Sequence, residues 1–237
     1  MNVTCIIPAR YNSSRFPGKP LADINGIPMI KMVWDRCFDF FRDTKQIIVA
    51  TDSHKIADVC KNYDIQYAIT SESCKTGTDR VAEVALSLEG ERFINVQGDE
   101  PVISPYDIEK VVQSSIKYEV CCGMCPIKSE QDFRSPNIPK VVFSKNNKLL
   151  YASRCAMPTN KSLEFVESYK QVCIYGYSRQ ALYDFVQEKH KSPLEEIEDI
   201  EILRLLEIGY DVHMVEVSDS SISVDVPEDI EKVKNVL

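Results

Sequence analysis

The chain has 237 residues, 44% of them hydrophobic and only 8 of them Gly, which fits one globular domain and excludes a disordered tail or a fibrous repeat. Its net charge of -8 excludes the bulk positive field that gathers nucleic acid or anionic lipid without specificity. No apolar run approaches the roughly 20 residues of a membrane span, and the first one ends at Pro8, too short for a signal peptide. We therefore expect a cytoplasmic protein with neither a membrane nor a nucleic-acid partner.

The first half of the chain alternates short apolar runs with amphipathic stretches. The apolar runs, rich in Val and Ile, predict buried strands at residues 3–8, 46–50, 65–69 and 93–96. The amphipathic stretches between them predict helices at residues 28–41, 54–61, 78–88 and 105–118. This alternation predicts a Rossmann-like α/β fold, with a mostly parallel sheet flanked by helices.

From about residue 119 the predicted strands are no longer separated by long helices. Runs at 140–144, 149–153 and 171–177 predict antiparallel pairing, with a turn at Asn146 and Asn147, and the polar stretch 157–169 predicts an exposed loop. Helices are predicted at 179–188 and 193–208, then a strand at 211–217 and a last helix opened by Pro227. We interpret the chain as a single domain, 1–237, with an inserted smaller antiparallel sheet at about 120–178.

The nine cysteines do not predict a disulfide framework. Their number is odd, their spacing is irregular, and the chain is long enough to build a core without them, so a reducing compartment fits better. Cys122 and Cys125 have the spacing of a redox or zinc motif, but the chain has only three His and no second close Cys pair. We interpret this pair as buried structural cysteines.

Three cations, Arg10, Arg15 and Lys19, fall within ten residues directly after the first predicted strand, although the chain as a whole is acidic. Open α/β sheets bind ligands at the carboxyl ends of their strands, where Arg and Lys pair with phosphate oxygens. The loop IPARYNSSRFPGKP (7–20) contains only Gly18, so it is neither a Walker loop nor a dinucleotide fingerprint. It is predicted to bind an anion; the alternative is an ordinary solvated loop.

Two acidic motifs are candidates for a metal site. In NVQGDEP (95–101) a predicted strand ends at Asp99, and in VDVPED (224–229) Asp225 precedes the last predicted helix. Mg²⁺ binds one or two carboxylates together with the phosphates of a substrate, so a phosphate loop on the same sheet edge favours a metal role. Each Asp could instead cap a turn or a helix.

A small-residue turn at residues 75–80, KTGTDR, opens a predicted helix and is expected to offer amides and hydroxyls to an anion or base. With this turn, the chain resembles the 3-deoxy-manno-octulosonate cytidylyltransferase family in order from residue 3 to about 233. The matching nucleotide-side motifs lie at 7–21, 50–52, 76–80, 95–101 and 224–229, and the matching acceptor-side motifs at 151–154, 174–177 and 193–195.

The resemblance implies a homodimeric enzyme of lipopolysaccharide biosynthesis that transfers CMP from CTP to an acidic sugar and releases pyrophosphate, with dimer contacts on the antiparallel insertion. It implies Mg²⁺ as the cofactor, held by Asp99 and Asp225, and it implies that Arg10 and Lys19 join them in catalysis. The nucleotide-binding residues that it implies are Arg10, Ser13, Arg15, Lys19, Thr76, Gly77, Thr78, Arg80 and Gln97. The acceptor-binding residues that it implies are Arg154, Gln171, Tyr175, Glu198 and Glu201.

Three residues on the acceptor side depart from the family pattern: Gln171 replaces a His, Cys173 a Gly and Ile202 a Gln. A lost hydrogen-bonding group costs about 1–3 kcal/mol for a substrate that needs it. The expected acceptor is 3-deoxy-manno-octulosonate. The alternatives are an amino-substituted octulosonate, another 2-keto-3-deoxy acid, a phosphonate, or a protein that binds nucleotide without turning it over.

Overall fold

The computed structural model describes residues 3–13 and 15–237, which form eleven strands and nine α-helices. The strands are β1 (Val3–Ala9), β2 (Asp23–Ile24), β3 (Ile27–Pro28), β4 (Ile47–Thr51), β5 (Tyr67–Ile69), β6 (Arg92–Val96), β7 (Val120–Pro126), β8 (Lys140–Phe143), β9 (Leu149–Ser153), β10 (Tyr169–Ser178) and β11 (Val212–Glu216). The helices are α1 (Met29–Phe41), α2 (His54–Asn62), α3 (Gly77–Ser87), α4 (Pro105–Lys117), α5 (Glu130–Arg134), α6 (Arg179–Gln187), α7 (Pro193–Glu198), α8 (Ile202–Glu207) and α9 (Asp229–Lys234).

Nine of the strands make one mixed sheet, whose main path runs β11-β7-β10-β6-β1-β4-β5. Along this path every strand is parallel to the others except β10, which is antiparallel to both β6 and β7. Strands β8 and β9 extend the antiparallel part through β10, and β2 pairs with β3 in a separate small sheet. The predicted α/β class, with its mostly parallel sheet and added antiparallel pairing, is confirmed.

Helices cover both faces of the sheet because its strands alternate buried side chains between the two sides. Ile7 of β1 and Ile94 of β6 pack on the side of α1, α2 and α4. Ile6 and Phe93, their neighbours in sequence, pack on the side of α3, α6 and α8. Both faces are therefore used for packing, and the loops at the carboxyl edge are left to form a site.

The structure corrects two predicted elements and adds four that were not predicted, namely β2, β3, β7 and α5. The helix expected at 193–208 is two helices, because Asp199 has a φ of 50° and the chain turns there between α7 and α8. The last helix begins at Asp229 rather than at Pro227. Strand β7 was not predicted; it contains Cys122 and Cys125, which are buried as expected.

The turn between β8 and β9 is confirmed: Asn147 has a φ of 58° and its N–H donates to the Ser144 carbonyl at 2.9 Å. Residues 154–168 lie outside the strands and helices, in agreement with the predicted loop. Within the described ranges, none of the helices combines the length and the apolar character needed to traverse a bilayer.

Candidate active site

Charged side chains from three separate segments meet at the carboxyl edge of the sheet. The Lys19 ammonium donates to Asp99 Oδ2 at 2.6 Å and to the Val224 carbonyl at 2.7 Å, and it lies 3.9 Å from Asp225 Oδ1. Arg15 Nη2 donates to Asp225 Oδ1 at 2.8 Å. Because β1 and β6 are parallel neighbours, the loops that follow them open on the same edge and bring these groups together.

The backbone around this cluster fixes the two carboxylates. The Val224 N–H donates to the Asp99 carbonyl at 2.9 Å, which ties the segment after β11 to the loop after β6. The Asp229 carboxylate, at the start of α9, accepts the N–H groups of Asp225 and Val226 at 2.9 and 3.1 Å and so fixes the turn before the helix. The Asp225 side chain does not cap α9, whose N-cap residue is Glu228, and its carboxylate faces the cations.

The residues around Lys19 fit a hard divalent cation. Oxygens of Asp99, Asp225 and Val224 already surround a positive charge, the Lys19 ammonium, and oxygens are the ligands that Mg²⁺ prefers. Among residues 3–13 and 15–237, no three or more His, Cys, Asp or Glu side chains gather as a complete metal cage. Asp99 and Asp225 would therefore hold Mg²⁺ together with the phosphates of a substrate.

The loop after β1 closes on itself and presents its cations at different depths. Gly18 has a φ of 74°, a conformation that suits glycine, and its N–H donates to the Tyr11 carbonyl at 2.8 Å. The Lys19 side chain is 14% exposed, whereas that of Arg15 is 56% exposed. Arg10 is also exposed, so both arginines of the loop are accessible to a ligand, although Arg15 also pairs with Asp225.

The turn that opens α3 is bonded by the protein itself. Thr76 and Asp79 form a reciprocal cap, with the Thr76 N–H donating to Asp79 at 2.9 Å. The Glu201 carboxylate accepts the N–H groups of Gly77 and Thr78 at 3.1 and 2.8 Å. In this structure the amides expected to meet an anion are bonded to the carboxylate of Glu201, a residue expected in the acceptor site.

Two further residues of the turn point inward. Thr78 is fully buried with its hydroxyl 3.3 Å from that of Tyr177, and Arg80 is 3% exposed and donates to Asp52 at 2.7 Å. A Cβ at Gly77 would lie 2.9 Å from Gln97 Nε2, so the Gln97 amide packs directly on this glycine. The turn therefore packs against the Gln97 amide, and the buried side chains of Thr78 and Arg80 stabilise the turn from inside the protein.

Arg154 lies at the end of β9, where α7 ends. Its guanidinium donates to the carbonyls of Glu198, Pro136 and Asp199 at 2.5, 2.9 and 3.0 Å. The Glu198 carboxylate accepts the Arg154 N–H at 2.8 Å and the Ser153 hydroxyl at 2.6 Å. Burial opposes ionisation of Glu198, but these hydrogen bonds hold its pKa below the ordinary value. Three of the five N–H donors of Arg154 are used, and Glu198 orients it.

The three departures from the family pattern have different surroundings. Gln171 is buried, and its amide donates to the Tyr175 hydroxyl at 3.3 Å on the helix α3 side of the sheet. Ile202 is 1% exposed and belongs to the same core. Cys173 is partly exposed where the pairing of β10 with β7 is irregular. Gln171 and Ile202 are therefore both buried among packed side chains in this structure.

The chain is similar to known proteins over nearly its whole length. The family described as Cytidylyltransferase matches residues 4–218. An 8-amino-3,8-dideoxy-manno-octulosonate cytidylyltransferase of Shewanella pealeana is 40% identical, with 97% of this chain and 96% of the relative covered. A 3-deoxy-manno-octulosonate cytidylyltransferase of Geobacter metallireducens is 40% identical, with 98% and 96% covered. A solved CMP:2-keto-3-deoxy-manno-octonic acid synthetase complexed with CTP has a TM-score of 0.91 and 34% identity, with 100% of this chain and 98% of that chain covered.

The chain belongs to the 3-deoxy-manno-octulosonate cytidylyltransferase family. It is accordingly a nucleotidyltransferase, and the cluster of Lys19, Asp99 and Asp225 lies where an α/β nucleotidyltransferase needs charge, at the carboxyl edge of its parallel strands.

Sequence reasoning about this cytidylyltransferase missed Glu100, although it adjoins Asp99 in the same motif. Glu100 is 3% exposed and accepts a hydrogen bond from the Ser221 hydroxyl. Burial, followed by the nearby negative charge of Asp99, raises its pKa to about 8. The serine-rich run before Asp225 was the available signal, since its hydroxyl is what a buried carboxyl needs as a partner.

Glu100 should make the stability of the metal-free protein depend on pH. Its folded pKa of about 8 lies above the ordinary 4.5, so its contribution is complete below about pH 4.5 and is lost as the pH rises through 8. In EDTA we expect the wild-type free energy of unfolding to fall between pH 5 and 9, and Glu100→Gln to flatten that slope. Urea denaturation at a series of pH values measures both slopes. Equal slopes would show that Glu100 does not titrate in this range.

Proposed function

We propose that this enzyme transfers CMP from CTP to 3-deoxy-manno-octulosonate with Mg²⁺ as cofactor. A hydroxyl of the sugar forms a bond to the α-phosphorus of CTP, and the bond from that phosphorus to the bridging oxygen breaks to release pyrophosphate. The observation that carries this proposal is the meeting of Arg15, Lys19, Asp99 and Asp225 within hydrogen-bond or ion-pair distance of one another. Phosphoryl chemistry depends mainly on such positioned charge.

The proposed role of each residue in the site follows from its position. Arg10 and Arg15, which are exposed, would bind the outer phosphates, and Lys19 would neutralise charge closer to the sheet. Asp99 and Asp225 would hold Mg²⁺, which when bound neutralises phosphate charge and lowers the pKa of the attacking hydroxyl. Gln97, packed on Gly77, would contact the nucleotide from the other side.

Arg154 would bind the carboxylate of the acceptor. Its side chain is 33% exposed and is held by three carbonyls, so its remaining N–H donors have a fixed direction. A pre-oriented guanidinium recognises a carboxylate well because little side-chain freedom is lost on binding. Neither Gln171 nor Ile202 reaches this surface, so the departures from the family pattern leave this contact intact.

A second candidate acceptor is 8-amino-3,8-dideoxy-manno-octulosonate. It is favoured by the relative of that name in Shewanella pealeana, which is as similar to this chain, at 40% identity, as the relative in Geobacter metallireducens named for 3-deoxy-manno-octulosonate. Both sugars carry the carboxylate that Arg154 would bind, so the choice between them depends on the far end of the sugar.

Pyrophosphate release with CTP, Mg²⁺ and each sugar in turn tests the proposal. We expect pyrophosphate release with 3-deoxy-manno-octulosonate, whose carboxylate Arg154 would bind. The variant Gln171→His should not increase use of either sugar. A higher rate on the amino sugar would identify the second candidate, and release with neither sugar would contradict both.

We propose that the enzyme is a homodimer joined through the insertion. Leu150 on β9, Val166 in the following loop and Ile197 on α7 are 59%, 73% and 79% exposed, which is unusual for large apolar residues unless a partner covers them. Sedimentation equilibrium should give twice the chain mass for the wild type and the chain mass for a Leu150→Asp, Val166→Asp variant. A wild-type monomer would contradict the dimer.

We also propose that the enzyme is cytoplasmic. Its nine cysteines are free thiols, which suits a reducing compartment.

A further inference from the structure

We propose that Lys19 is the exchangeable counter-ion of the metal site: it neutralises Asp99 and Asp225 when no metal is bound, and it leaves them for the triphosphate when metal binds. The inference rests on the proposed metal role of those two carboxylates. It assigns Lys19 two positions in the reaction cycle, whereas the phosphate-loop motif by itself suggests only one.

The contacts of Lys19 are those of a bound cation rather than of a surface lysine. Its ammonium donates to Asp99 Oδ2 at 2.6 Å and to the Val224 carbonyl at 2.7 Å, and it lies 3.9 Å from Asp225 Oδ1. The side chain is 14% exposed, although lysines usually extend into solvent. Every one of these partners is an oxygen, the ligand type that Mg²⁺ selects.

The surrounding charge explains why a cation is needed here before metal arrives. Asp99 and Asp225 approach the same ammonium, at 2.6 and 3.9 Å. Two carboxylates that converge on one point repel each other unless a cation lies between them. Arg15 offsets part of the Asp225 charge from outside, but its side chain is 56% exposed, so Lys19 is the cation enclosed with the carboxylates.

The Lys19 ammonium and a divalent cation compete for the same two carboxylates. The ammonium lies 2.6 Å from Asp99 Oδ2, so a cation held by Asp99 would lie close to a like charge, and that repulsion favours movement of Lys19 away from the carboxylate. The triphosphate supplies new acceptors for the displaced ammonium at the same sheet edge. Two consequences follow: Lys19 weakens metal binding to the nucleotide-free protein, and Asp99 weakens triphosphate binding in the absence of metal.

The first consequence is tested with Mn²⁺ as the probe, by the EPR signal of the free ion and without nucleotide. We expect Lys19→Met to bind Mn²⁺ at least about tenfold more tightly than the wild type, since a competing cation is removed. Lys31→Met is the matched control: it removes the same charge from a lysine that pairs with Asp35 on α1, and its Mn²⁺ affinity should equal that of the wild type. Asp99→Asn should bind Mn²⁺ more weakly than either.

The second consequence is tested by calorimetry of CTP binding in EDTA, in a double-mutant cycle of Lys19→Met and Asp99→Asn. With Lys19 present, Asp99→Asn should raise the affinity for metal-free CTP about tenfold, because the ammonium is released to the phosphates. With Met at position 19 the same change should raise it by no more than about threefold, the effect of removing one repelling charge. Circular dichroism melts establish that all variants are folded.

Equal Mn²⁺ affinity of the wild type and Lys19→Met would overturn the exchange of Lys19, and so would additive effects in the cycle. Either result would leave the metal role of Asp99 and Asp225 standing as long as Asp99→Asn weakens Mn²⁺ binding. If Asp99→Asn binds Mn²⁺ as well as the wild type with CTP present, the proposed metal site is wrong and the inference falls with it. If Lys19→Met does not fold, Lys19→Gln, which keeps a polar group but no charge, replaces it in both experiments.

Discussion

Asp99→Asn is expected to lower Mg²⁺-dependent turnover by about 10²- to 10³-fold with little change in the free energy of unfolding. The side chain is 24% exposed at the edge of the sheet, and its carboxylate contacts Lys19 rather than the core. Asn keeps the size but loses the charge that would hold the metal and orient Lys19. Steady-state pyrophosphate release at saturating CTP and Mg²⁺, with urea denaturation in parallel, separates the two effects.

The control is Asp58→Asn, which makes the same replacement on α2 at a side chain that is 66% exposed and pairs with Lys61 at 3.2 Å. Its turnover should match that of the wild type. Near-normal turnover of Asp99→Asn at saturating Mg²⁺ would contradict the metal role assigned here. A matching loss of stability would instead mean that Asp99 is structural.

The largest expected effect on stability is that of Arg204→Met, at about 3–5 kcal/mol of unfolding free energy. Arg204 is 1% exposed; it binds both oxygens of the buried Glu195 at 2.6 and 2.7 Å and Asp79 at 2.9 Å. Its guanidinium lies 3.7 Å from the centre of the Phe185 ring. Met fills much of the volume but leaves the buried charge of Glu195 without its counter-ion, with the Ser192 N–H at 3.2 Å as a neutral donor.

Replacing Glu195 as well, in the double variant Glu195→Leu, Arg204→Met, should recover part of the loss, since no buried charge then remains unpaired. Urea denaturation of the wild type, the two single variants and the double variant measures the coupling. A loss below about 1 kcal/mol in Arg204→Met would show that the pair contributes little to the folded state. The recovery distinguishes an unpaired charge from simple loss of packing.

The sequence predicted the parts of this fold that periodicity encodes. Strands β1, β4 and β6 are runs of Val and Ile, and each lies within about one residue of its predicted bounds. Strand β7, VCCGMCP, was missed because its small Cys and Gly residues have no β-branched pattern, although every residue but the last is buried. Small side chains are needed there, since a Cβ at Gly123 would lie 2.8 Å from Ile174.

The candidate site was predictable to the extent that its motifs end parallel strands. The parallel order of the strands places the loops after β1 and β6 side by side, so the sequence alone predicts that Lys19 and Asp99 lie close together. The hydrogen bond from Lys19 to the Val224 carbonyl could not be predicted, because a main-chain group carries no sequence signal.

The contact of Glu201 with the start of α3 could not be predicted from the sequence either. Its carboxylate caps α3 only because the chain turns at Asp199, where a φ of 50° ends α7 and redirects the next helix. The apolar periodicity of residues 193–208 continues across that turn and therefore predicted one helix. Long-range contacts of this kind depend on how distant elements pack, which local pattern does not encode.

Transfer of CMP to a sugar acid can be followed directly by ³¹P NMR of the enzyme with CTP, 3-deoxy-manno-octulosonate and Mg²⁺. We expect the three CTP resonances to be replaced by one phosphodiester resonance and the pyrophosphate resonance in a 1:2 ratio of phosphorus atoms. No change with the sugar present, or conversion of CTP to CDP and inorganic phosphate, would contradict it.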